Sequence, residues 1–415
     1  MSSEDAPLPE ASPTKTGLWL DQFLDRSAPW LDGELLDIAE APDGEASIGY
    51  QATRRVKRGG KTFRRGDFVP CQDIEELRKI LTEDPDVRRI LLPGCNRWVP
   101  AHLAEPSTEQ VDLKKYRAKI LRSMRGMVFQ TGVFIVLFFA TRSLTVLLFA
   151  LMFGIFPIID RLLDFFQRPD QMSVDERNRR RVNAHFFFRW LDTRNATWLW
   201  VMLGVLLALL GMQYSVGIYK SVELAGTVKA DVRAGEWWRM VTAGLLHGDI
   251  LHFLFNGLAL YSLGRLVLVL SNPSRLVIVF FLSIVGGSLA SVLLVPNSLP
   301  GVGASGGILG VLGYLCVHTY RFKKQIPRRL QIGLYRSVFM ISLLGVLGAA
   351  FIDNAAHGGG FVTGVLLGLL AYKAMRLGNE VVSERTRIVG WICTGILVLG
   401  IIQVVRLFVP YLGAG

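Results

Sequence analysis

Cysteine and histidine are scarce in this sequence, which holds four cysteines and six histidines among 415 residues. Cys71 and Cys95 fall in a polar N-terminal region, whereas Cys316 and Cys393 fall in apolar runs. Such widely separated positions do not fit a disulfide framework, so we expect reduced thiols. A zinc site built on Cys71, Cys95 and His102 would lack both a CxxC pair and a fourth ligand. We therefore predict no metal and no cofactor.

A short apolar core is missing from residues 1–16, which are polar and rich in Ser, Pro and acidic residues. We expect a disordered tail there and no cleavable signal peptide. Apolar residues instead make up 51% of the chain and come in runs of membrane-spanning length, which excludes an ordinary soluble protein. The formal net charge of +12 is concentrated in particular loops. We interpret this charge as a topology signal and expect no nucleic-acid partner.

Residues 17–125 mix short apolar patches with charged stretches, which predicts a small cytoplasmic α+β or partly disordered N-terminal region. Residues 73–77 resemble the capped start of a helix. The run from Arg54 to Arg65 holds seven cations. This run fits either a solvated face or a surface that attracts anionic lipid headgroups.

Nine apolar segments follow and predict an all-α polytopic membrane protein. They cover residues 127–140, 143–159, 196–214, 251–270, 276–295, 305–320, 337–352, 357–375 and 388–409. Basic stretches flank the first two segments, so a membrane hairpin at 126–160 keeps both flanks cytoplasmic. The expected order is then a basic cytoplasmic linker at 161–194, a six-helix core at 195–376, and a linker with an extra C-terminal transmembrane helix at 377–415.

This alternation puts Ser305 and His357 in the same leaflet, although they lie 52 residues apart in sequence. Glycines at offsets of three, seven and eleven share the helix face of His357, and the serine helix carries Gly306, Gly310 and Gly313. Such stripes let membrane helices approach closely, so the hydroxyl and the imidazole can meet. The alternative is that the glycines serve only packing and the serine only caps a helix. A histidine at membrane depth favours a functional role.

A third group of polar residues is formed by His247, His252 and Asn256. His252 and Asn256 are four residues apart and share one helical face, whereas His247 points elsewhere. Two adjacent hydrogen-bond donors that face one pocket are suited to a developing oxyanion. The alternative is a polar patch that forms hydrogen bonds between helices or to trapped water.

In these residues the sequence resembles the rhomboid intramembrane serine proteases, over about residues 195–375. The resemblance rests on Glu236-Trp237-Trp238-Arg239, on the spacing of His247, His252 and Asn256, on Gly303-Ala304-Ser305-Gly306, and on Ala356-His357 followed by Gly360 and Gly364. It implies a rhomboid-like six-helix core. It also implies that the glycines at 303, 306, 360 and 364 are structural residues near the site.

The resemblance further implies a role for each polar residue. Ser305 would be the nucleophile, His357 the general base and then acid, and His252 and Asn256, with the Ser305 backbone amide, the oxyanion hole. His247 resembles the structural histidine of the family near the base of the outer loop.

Two neighbouring features of the family pattern bear on the outer loop and the imidazole. Trp238 and Arg239 resemble the pair that anchors the outer loop in its leaflet, although the bilayer alone explains an aromatic and a cation at an interface. Leu309 stands where some members stack an aromatic ring on the histidine. No acidic residue is placed to orient His357, because Asp353 lies four residues earlier and is expected outside the helix. A two-residue dyad is therefore predicted.

These features predict an intramembrane serine endopeptidase that cleaves transmembrane segments near the outer leaflet. Its partners would be transmembrane proteins and membrane lipids. By analogy with rhomboids, the helix at 337–352 and a loop at 353–356 are candidates for a gate and a cap. The location expected is a bacterial inner membrane, with a cytoplasmic N-terminus and a site open to the outer side. A eukaryotic secretory membrane is the alternative location. The alternatives are a catalytically silent adaptor that binds membrane helices and a transporter, which predicts inverted repeats that the sequence lacks.

Overall fold

The computed structural model describes residues 48–84, 86–87, 89–91, 99–101, 112–142, 146–147, 150–167, 171–193, 196–295, 300–348, 352–378 and 382–412. The predicted tail, Cys95 and His102 lie outside these ranges. The chain forms two compact units, one of residues 1–125 with 161–193 and one of residues 126–160 with 194–415.

The elements of the N-terminal part are short strands followed by longer helices. The strands and first helix are β1 (Ile48–Gln51), β2 (Val56–Arg58), β3 (Lys61–Phe63), β4 (Phe68–Cys71), α1 (Ile74–Glu83), β5 (Arg89–Leu91) and β6 (Val99–Pro100). The helices that follow are α2 (Leu113–Thr141), a π-helix (Ala150–Ile155), α3 (Phe156–Phe165) and α4 (Val174–Thr193).

The first unit is built on a four-stranded sheet in the order β4-β1-β5-β6, with antiparallel pairs throughout. Asp73 caps α1 by accepting a hydrogen bond from the backbone N–H of Glu76 at 2.8 Å, as the sequence predicts. Val69 and Leu77 meet in a buried core, which Val182 of α4 also joins. β2 and β3 form a separate hairpin, so the run of cations lies on and beside two paired strands.

After Ala196, the regular elements of the second unit are all helices among its described residues, and an isolated β-bridge joins Thr227 to Gly301. Its helices are α5 (Thr197–Val216), α6 (Ile218–Ala225), α7 (Lys229–Arg233), α8 (Arg239–Thr242), α9 (Ile250–Leu270), α10 (Pro273–Leu294), α11 (Ser305–Arg321), α12 (Arg328–Leu347), α13 (Asn354–Ala371) and α14 (Glu384–Phe408). The short α6, α7 and α8 lie between α5 and α9, in the segment that the sequence predicts to be the outer loop; we keep that name for residues 217–249. Of the helices long enough to cross a membrane, α10 is the most buried. It packs against α11, α13 and α14, so it forms the centre of this unit.

Seven helices of the described residues are long and apolar enough to cross a membrane, compared with the nine segments predicted. They are α2, α5, α9, α10, α12, α13, and α14 with its short C-terminal extension. The serine-bearing α11 has 17 residues, and the second arm of the predicted hairpin is a π-helix continued by α3. The chain is an integral multi-pass membrane protein with an all-α membrane domain. The assignment of the flanking regions to the cytoplasm stays a prediction.

Two predicted helix boundaries are wrong. α12 begins at Arg328 and not at 337. Its first four residues favour helix, but two arginines and a glutamine among them lower the hydropathy of the segment. α13 begins at Asn354 and not at His357, because Asp353 caps it by accepting from the N–H of Ala356 at 2.9 Å. The predicted loop at 353–356 is therefore the cap and first turn of a helix.

Candidate active site

The serine and the histidine meet at the N-terminal ends of α11 and α13. Ser305 is the first residue of its helix, and His357 lies in the first turn of the other helix. His357 Nε2 lies 2.8 Å from Ser305 Oγ, which is a hydrogen-bonding distance. Both side chains are half-buried. A hydroxyl that can donate to an imidazole is the arrangement an activated nucleophile needs.

The glycine stripes explain how the two helices come so close. A Cβ added to Gly360 would collide with the backbone carbonyl of Gly306, and one added to Gly364 would collide with that of Gly310. Backbone therefore packs directly against backbone, which only small residues allow. These four glycines form what we call the glycine seam, and it fixes the separation of Ser305 and His357.

The segment before Ser305 is held against the outer loop by backbone hydrogen bonds. Thr227 and Gly301 exchange two such bonds of 2.8 and 3.1 Å, and the N–H of Gly303 donates to the carbonyl of Ala243 at 2.9 Å. Gly303 has φ +124°, a conformation that side chains disfavour. A Cβ there would also lie 2.8 Å from His252 Nε2, so glycine alone lets the imidazole approach the serine.

His252 and Asn256 lie one turn apart on α9 and both offer donors. The Nδ1 atom of His252 accepts from the N–H of Gly248 at 3.4 Å, which assigns the proton to Nε2, the atom that faces Gly303. Asn256 is 7% exposed, and its Nδ2 has no hydrogen-bond partner among the described residues. A buried amide without an acceptor is costly, so this donor is suited to an acceptor that arrives with a ligand.

His247 is fully buried behind His252, and the two rings meet edge to face with centroids 5.4 Å apart. Burial lowers the pKa of His247 to about 3, so its imidazole is neutral. The side-chain amide of Gln213 in α5 forms two hydrogen bonds with the His247 backbone. It accepts from the His247 N–H at 2.9 Å and donates to the His247 carbonyl at 3.0 Å. Gln213 is not among the predicted site residues, although a lone amide inside the apolar run of 196–214 is a signal for such a contact.

Arg239 forms ion pairs and hydrogen bonds with other residues of the outer loop. Its guanidinium forms ion pairs with Asp231, at 3.1 Å, and with Glu236, and it donates to the carbonyl of Glu223 at 2.9 Å. Its side chain is only 8% exposed and lies over the ring of Trp238, with 4.9 Å from guanidinium carbon to ring centroid. The sequence suggested an anchor in the lipid leaflet. The contacts of Arg239 are instead internal to the loop.

The carboxylate of Asp353 is occupied by groups other than the imidazole. It accepts from the N–H of Ala356 and from the hydroxyl of Ser291, while the Asp353 backbone carbonyl accepts from the His357 N–H at 3.1 Å. Leu309, one turn after the serine, is buried. Over the described part of the chain, no three His, Cys, Asp or Glu side chains are grouped closely enough to hold a metal ion.

This geometry defines a class of site: a serine–histidine pair between closely packed membrane helices, with the His252 ring near the serine-bearing segment and Asn256 one turn further along α9. A model of the rhomboid domain matches residues 234–374, which include the predicted serine, both predicted oxyanion residues and the predicted base.

Three curated proteins illustrate the similarity. Rhomboid protease GluP of Bacillus subtilis is 37% identical over 134 residues, which are 32% of this chain and 26% of GluP. RHOMBOID-like protein 4 of Arabidopsis thaliana is 33% identical over 146 residues, 34% of this chain and 36% of that protein. Putative rhomboid protease YdcA of Bacillus subtilis is 31% identical over 144 residues, 34% of this chain and 69% of YdcA.

The chain therefore belongs to the rhomboid family. The match spans about a quarter to a third of the length of the first two relatives, so the similarity concerns the membrane core.

Proposed function

We propose that this protein is an intramembrane serine endopeptidase that cleaves transmembrane segments of membrane proteins near the outer leaflet. The observation that carries the proposal is the 2.8 Å separation of His357 Nε2 and Ser305 Oγ. Family membership supports the same reaction class, since the family consists generally of intramembrane serine proteases.

In this mechanism the neutral imidazole of His357 takes the Ser305 proton as Oγ attacks the scissile carbonyl carbon. The carbonyl oxygen becomes an oxyanion. His252 Nε2–H, Asn256 Nδ2–H and the Ser305 backbone N–H donate to it, and the positive end of the α11 dipole adds to their effect. His357 then protonates the leaving amine, and water attacks the acyl-enzyme with His357 again as base.

Two residues perform the proton transfers in this scheme. The Asp353 carboxylate accepts from Ala356 and Ser291 but, among the described residues, forms no hydrogen bond with the His357 imidazole, so the proposed scheme uses no third member. The orientation of His357 then rests on helix packing along the glycine seam. This replaces the carboxylate of a triad with a rigid backbone contact.

A transmembrane helix has its carbonyls bonded internally, so a substrate must unwind locally before it can be cut. We propose that substrates enter from the lipid beside α12 and are cut where small or helix-breaking residues permit unwinding. The N-terminus would be cytoplasmic, the site would open to the outer side, and the membrane would be a bacterial inner membrane. Membrane lipids would surround the protein as its other partners.

The first experiment is cleavage of a model transmembrane substrate by detergent-solubilised protein, with the cut site mapped by mass spectrometry. Ser305→Ala should abolish turnover because it removes the hydroxyl that lies beside His357. The matched control is Ser337→Ala, which removes a serine hydroxyl of α12 that donates to the carbonyl of Gly333. This control should cleave at the wild-type rate. Cleavage by Ser305→Ala at that same rate contradicts the proposal.

The alternative of a catalytically silent adaptor is not favoured. Such an adaptor needs no donor set beside a serine, whereas this chain holds both members of the dyad at hydrogen-bonding distance. An adaptor predicts that the substrate helix binds but stays intact in the cleavage experiment.

A further inference from the structure

The amide side chain of Gln213 is fully buried and forms hydrogen bonds with two parts of the outer loop. Its Nε2 donates to Ser221 Oγ and to the His247 carbonyl, each at 3.0 Å, and its Oε1 accepts from the His247 N–H at 2.9 Å. One orientation of the amide satisfies all three bonds, with both donor hydrogens and one acceptor used. A side chain that only filled space in α5 would need none of these bonds.

His247 depends on Gln213 for the partners of its backbone. It lies in the linker between the 3-10 helix Ala243–Leu245 and α9, where no regular element supplies hydrogen bonds. Buried backbone groups in such a linker need a side chain or water as partner. The two imidazole nitrogens of His247 form no hydrogen bond within the described part of the chain, and the ring packs on His252 and Phe253.

The peptide bond between His247 and Gly248 connects Gln213 to His252. This bond is planar, so its C=O and N–H point in opposite directions. Gln213 binds the carbonyl, and the N–H donates to His252 Nδ1 at 3.4 Å. A Cβ added to Gly248 would lie 3.6 Å from the same Nδ1, so this residue faces that edge of the ring. A bond as long as 3.4 Å breaks on a small rotation of the peptide plane.

The donor at Nδ1 decides which nitrogen of His252 carries the proton. A neutral imidazole has one protonated nitrogen and one acceptor nitrogen. With Nδ1 as acceptor, the proton lies on Nε2, which faces Gly303 and the serine-bearing segment. Without the Gly248 donor the ring is free to carry its proton on Nδ1 instead. Nε2 would then be an acceptor, which does not stabilise an oxyanion.

We propose that Gln213 is a positioning residue that keeps the proton of His252 on Nε2. It does so by fixing the His247–Gly248 peptide plane, and it touches none of the reacting atoms. The catalytic consequence of this inference rests on the proposed function. The assignment of the proton to Nε2 is independent of it.

The kinetic test compares wild type, Gln213→Met, His252→Ala and the double variant, all as full-length protein in detergent. Methionine is close to glutamine in length but does not form these hydrogen bonds. Steady-state cleavage of a model transmembrane substrate should show kcat about tenfold lower in Gln213→Met, with KM within about twofold, because the oxyanion donor acts in the transition state. The double variant should match His252→Ala within about twofold, because the His252 donor is already absent.

A purely structural role of Gln213 predicts the same factor of loss in both backgrounds, and that result would overturn the proposal. The matched control is Ser221→Ala, which removes the third bond of the amide and leaves both bonds to His247. Its kcat should stay within about twofold of wild type, and a loss equal to that in Gln213→Met would also overturn the proposal. If Gln213→Met does not fold, Gln213→Asn replaces it, because an amide one methylene shorter does not reach both backbone groups of His247.

The proton position is measured separately, by solid-state NMR of full-length protein with ¹³C,¹⁵N-labelled histidine in lipid bilayers. The chain has six histidines, and the signals missing from His252→Ala identify those of His252. We expect the Nε2–H form in wild type and in Ser221→Ala, and the Nδ1–H form in Gln213→Met. Unchanged His252 signals in Gln213→Met, or an Nδ1–H form in wild type, would overturn the proposal. If the wild-type protein cleaves nothing, the proposed function fails, and these spectra alone decide the role of Gln213.

Discussion

Two helices, α11 and α12, follow one another in the chain but differ in how much of each is buried. Twelve of the 17 residues of α11 are buried, and its glycines meet the backbone of α13 directly. Only three of the 20 residues of α12 are buried. α12 is instead tied near its C-terminal end, where Asn354 donates to the Gly345 carbonyl at 2.9 Å, and near its middle, where Arg336 pairs with Asp160.

This contrast suggests that the tightly packed helices and the loosely packed helix have different functions within one membrane domain. At Gly310, Gly360 and Gly364 an added Cβ would overlap a backbone carbonyl of the facing helix, whereas at Gly306 it would only reach ordinary contact. The residues of the proposed chemistry lie at the end of this seam. Few side chains of α12 are packed, so few contacts are lost when this helix moves. This supports the proposed entry of a substrate helix beside α12. We therefore expect variants of the seam to affect the reaction more than variants of α12.

The largest effect is expected from Gly364→Leu, which places a side chain against the Gly310 carbonyl. The helices must separate, which costs about 1–3 kcal/mol or more in overpacking. Displacement of the dyad by about 1 Å should lower kcat about a hundredfold. Cleavage assays and thermal unfolding measure both effects.

The control for that variant is Gly358→Ala on the same helix, where an added Cβ meets nothing within 4 Å. It should leave activity unchanged and can stabilise the helix by up to about 1 kcal/mol. Equal losses in Gly364→Leu and Gly358→Ala would contradict the idea that the seam sets the geometry.

The second-largest effect on kcat is expected from the proposed oxyanion donors. Asn256→Asp keeps the size of the side chain but replaces the Nδ2 donor with an acceptor oxygen. If this donor stabilises the oxyanion, kcat should fall by about a hundredfold or more, as after loss of one such donor. KM should change little, and steady-state kinetics separate the two constants. Wild-type kcat in Asn256→Asp would reduce Asn256 to a packing residue.

The smallest effect is expected at α12. Asn354→Ala removes the hydrogen bond to Gly345, whose net contribution is about 1 kcal/mol. Looser attachment of α12 should raise the cleavage rate of a transmembrane substrate by about twofold or leave it unchanged. Gly333→Ala, where a Cβ meets nothing within 4 Å, is the neutral comparison. If Asn354→Ala lowered the cleavage rate as much as Gly364→Leu, the two helices would not differ in their importance for the reaction, and the contrast would be contradicted.

Much of this arrangement could be predicted from sequence, because it depends on local periodicity. The facing glycine stripes and the shared face of His252 and Asn256 follow from the 3.6-residue repeat, and the start of α11 at Ser305 follows from the start of its apolar run. The capped start of α1 follows equally from Asp73 and the residues after it.

Other features depend on contacts between distant segments and have no local signal. The sequence could not place Asp353 between Ser291 and Ala356, nor show that Arg239 bonds within its own loop. The hydrogen bonds between Gln213 and His247 join residues 34 apart in sequence. The only local signal for them is the polarity of Gln213 within an apolar run. α12 begins earlier than predicted because hydropathy and helix propensity disagree over its basic first turns.

The central claim is that the glycine seam makes Ser305 a nucleophile by holding it against His357. Labelling of the purified protein with a fluorophosphonate probe, followed by peptide mass spectrometry, tests this claim most directly. We predict an adduct on Ser305 in the wild type, none at that position in Ser305→Ala, and strongly reduced labelling in His357→Ala and Gly364→Leu. An adduct on Ser305 that forms equally fast without the imidazole would contradict the account.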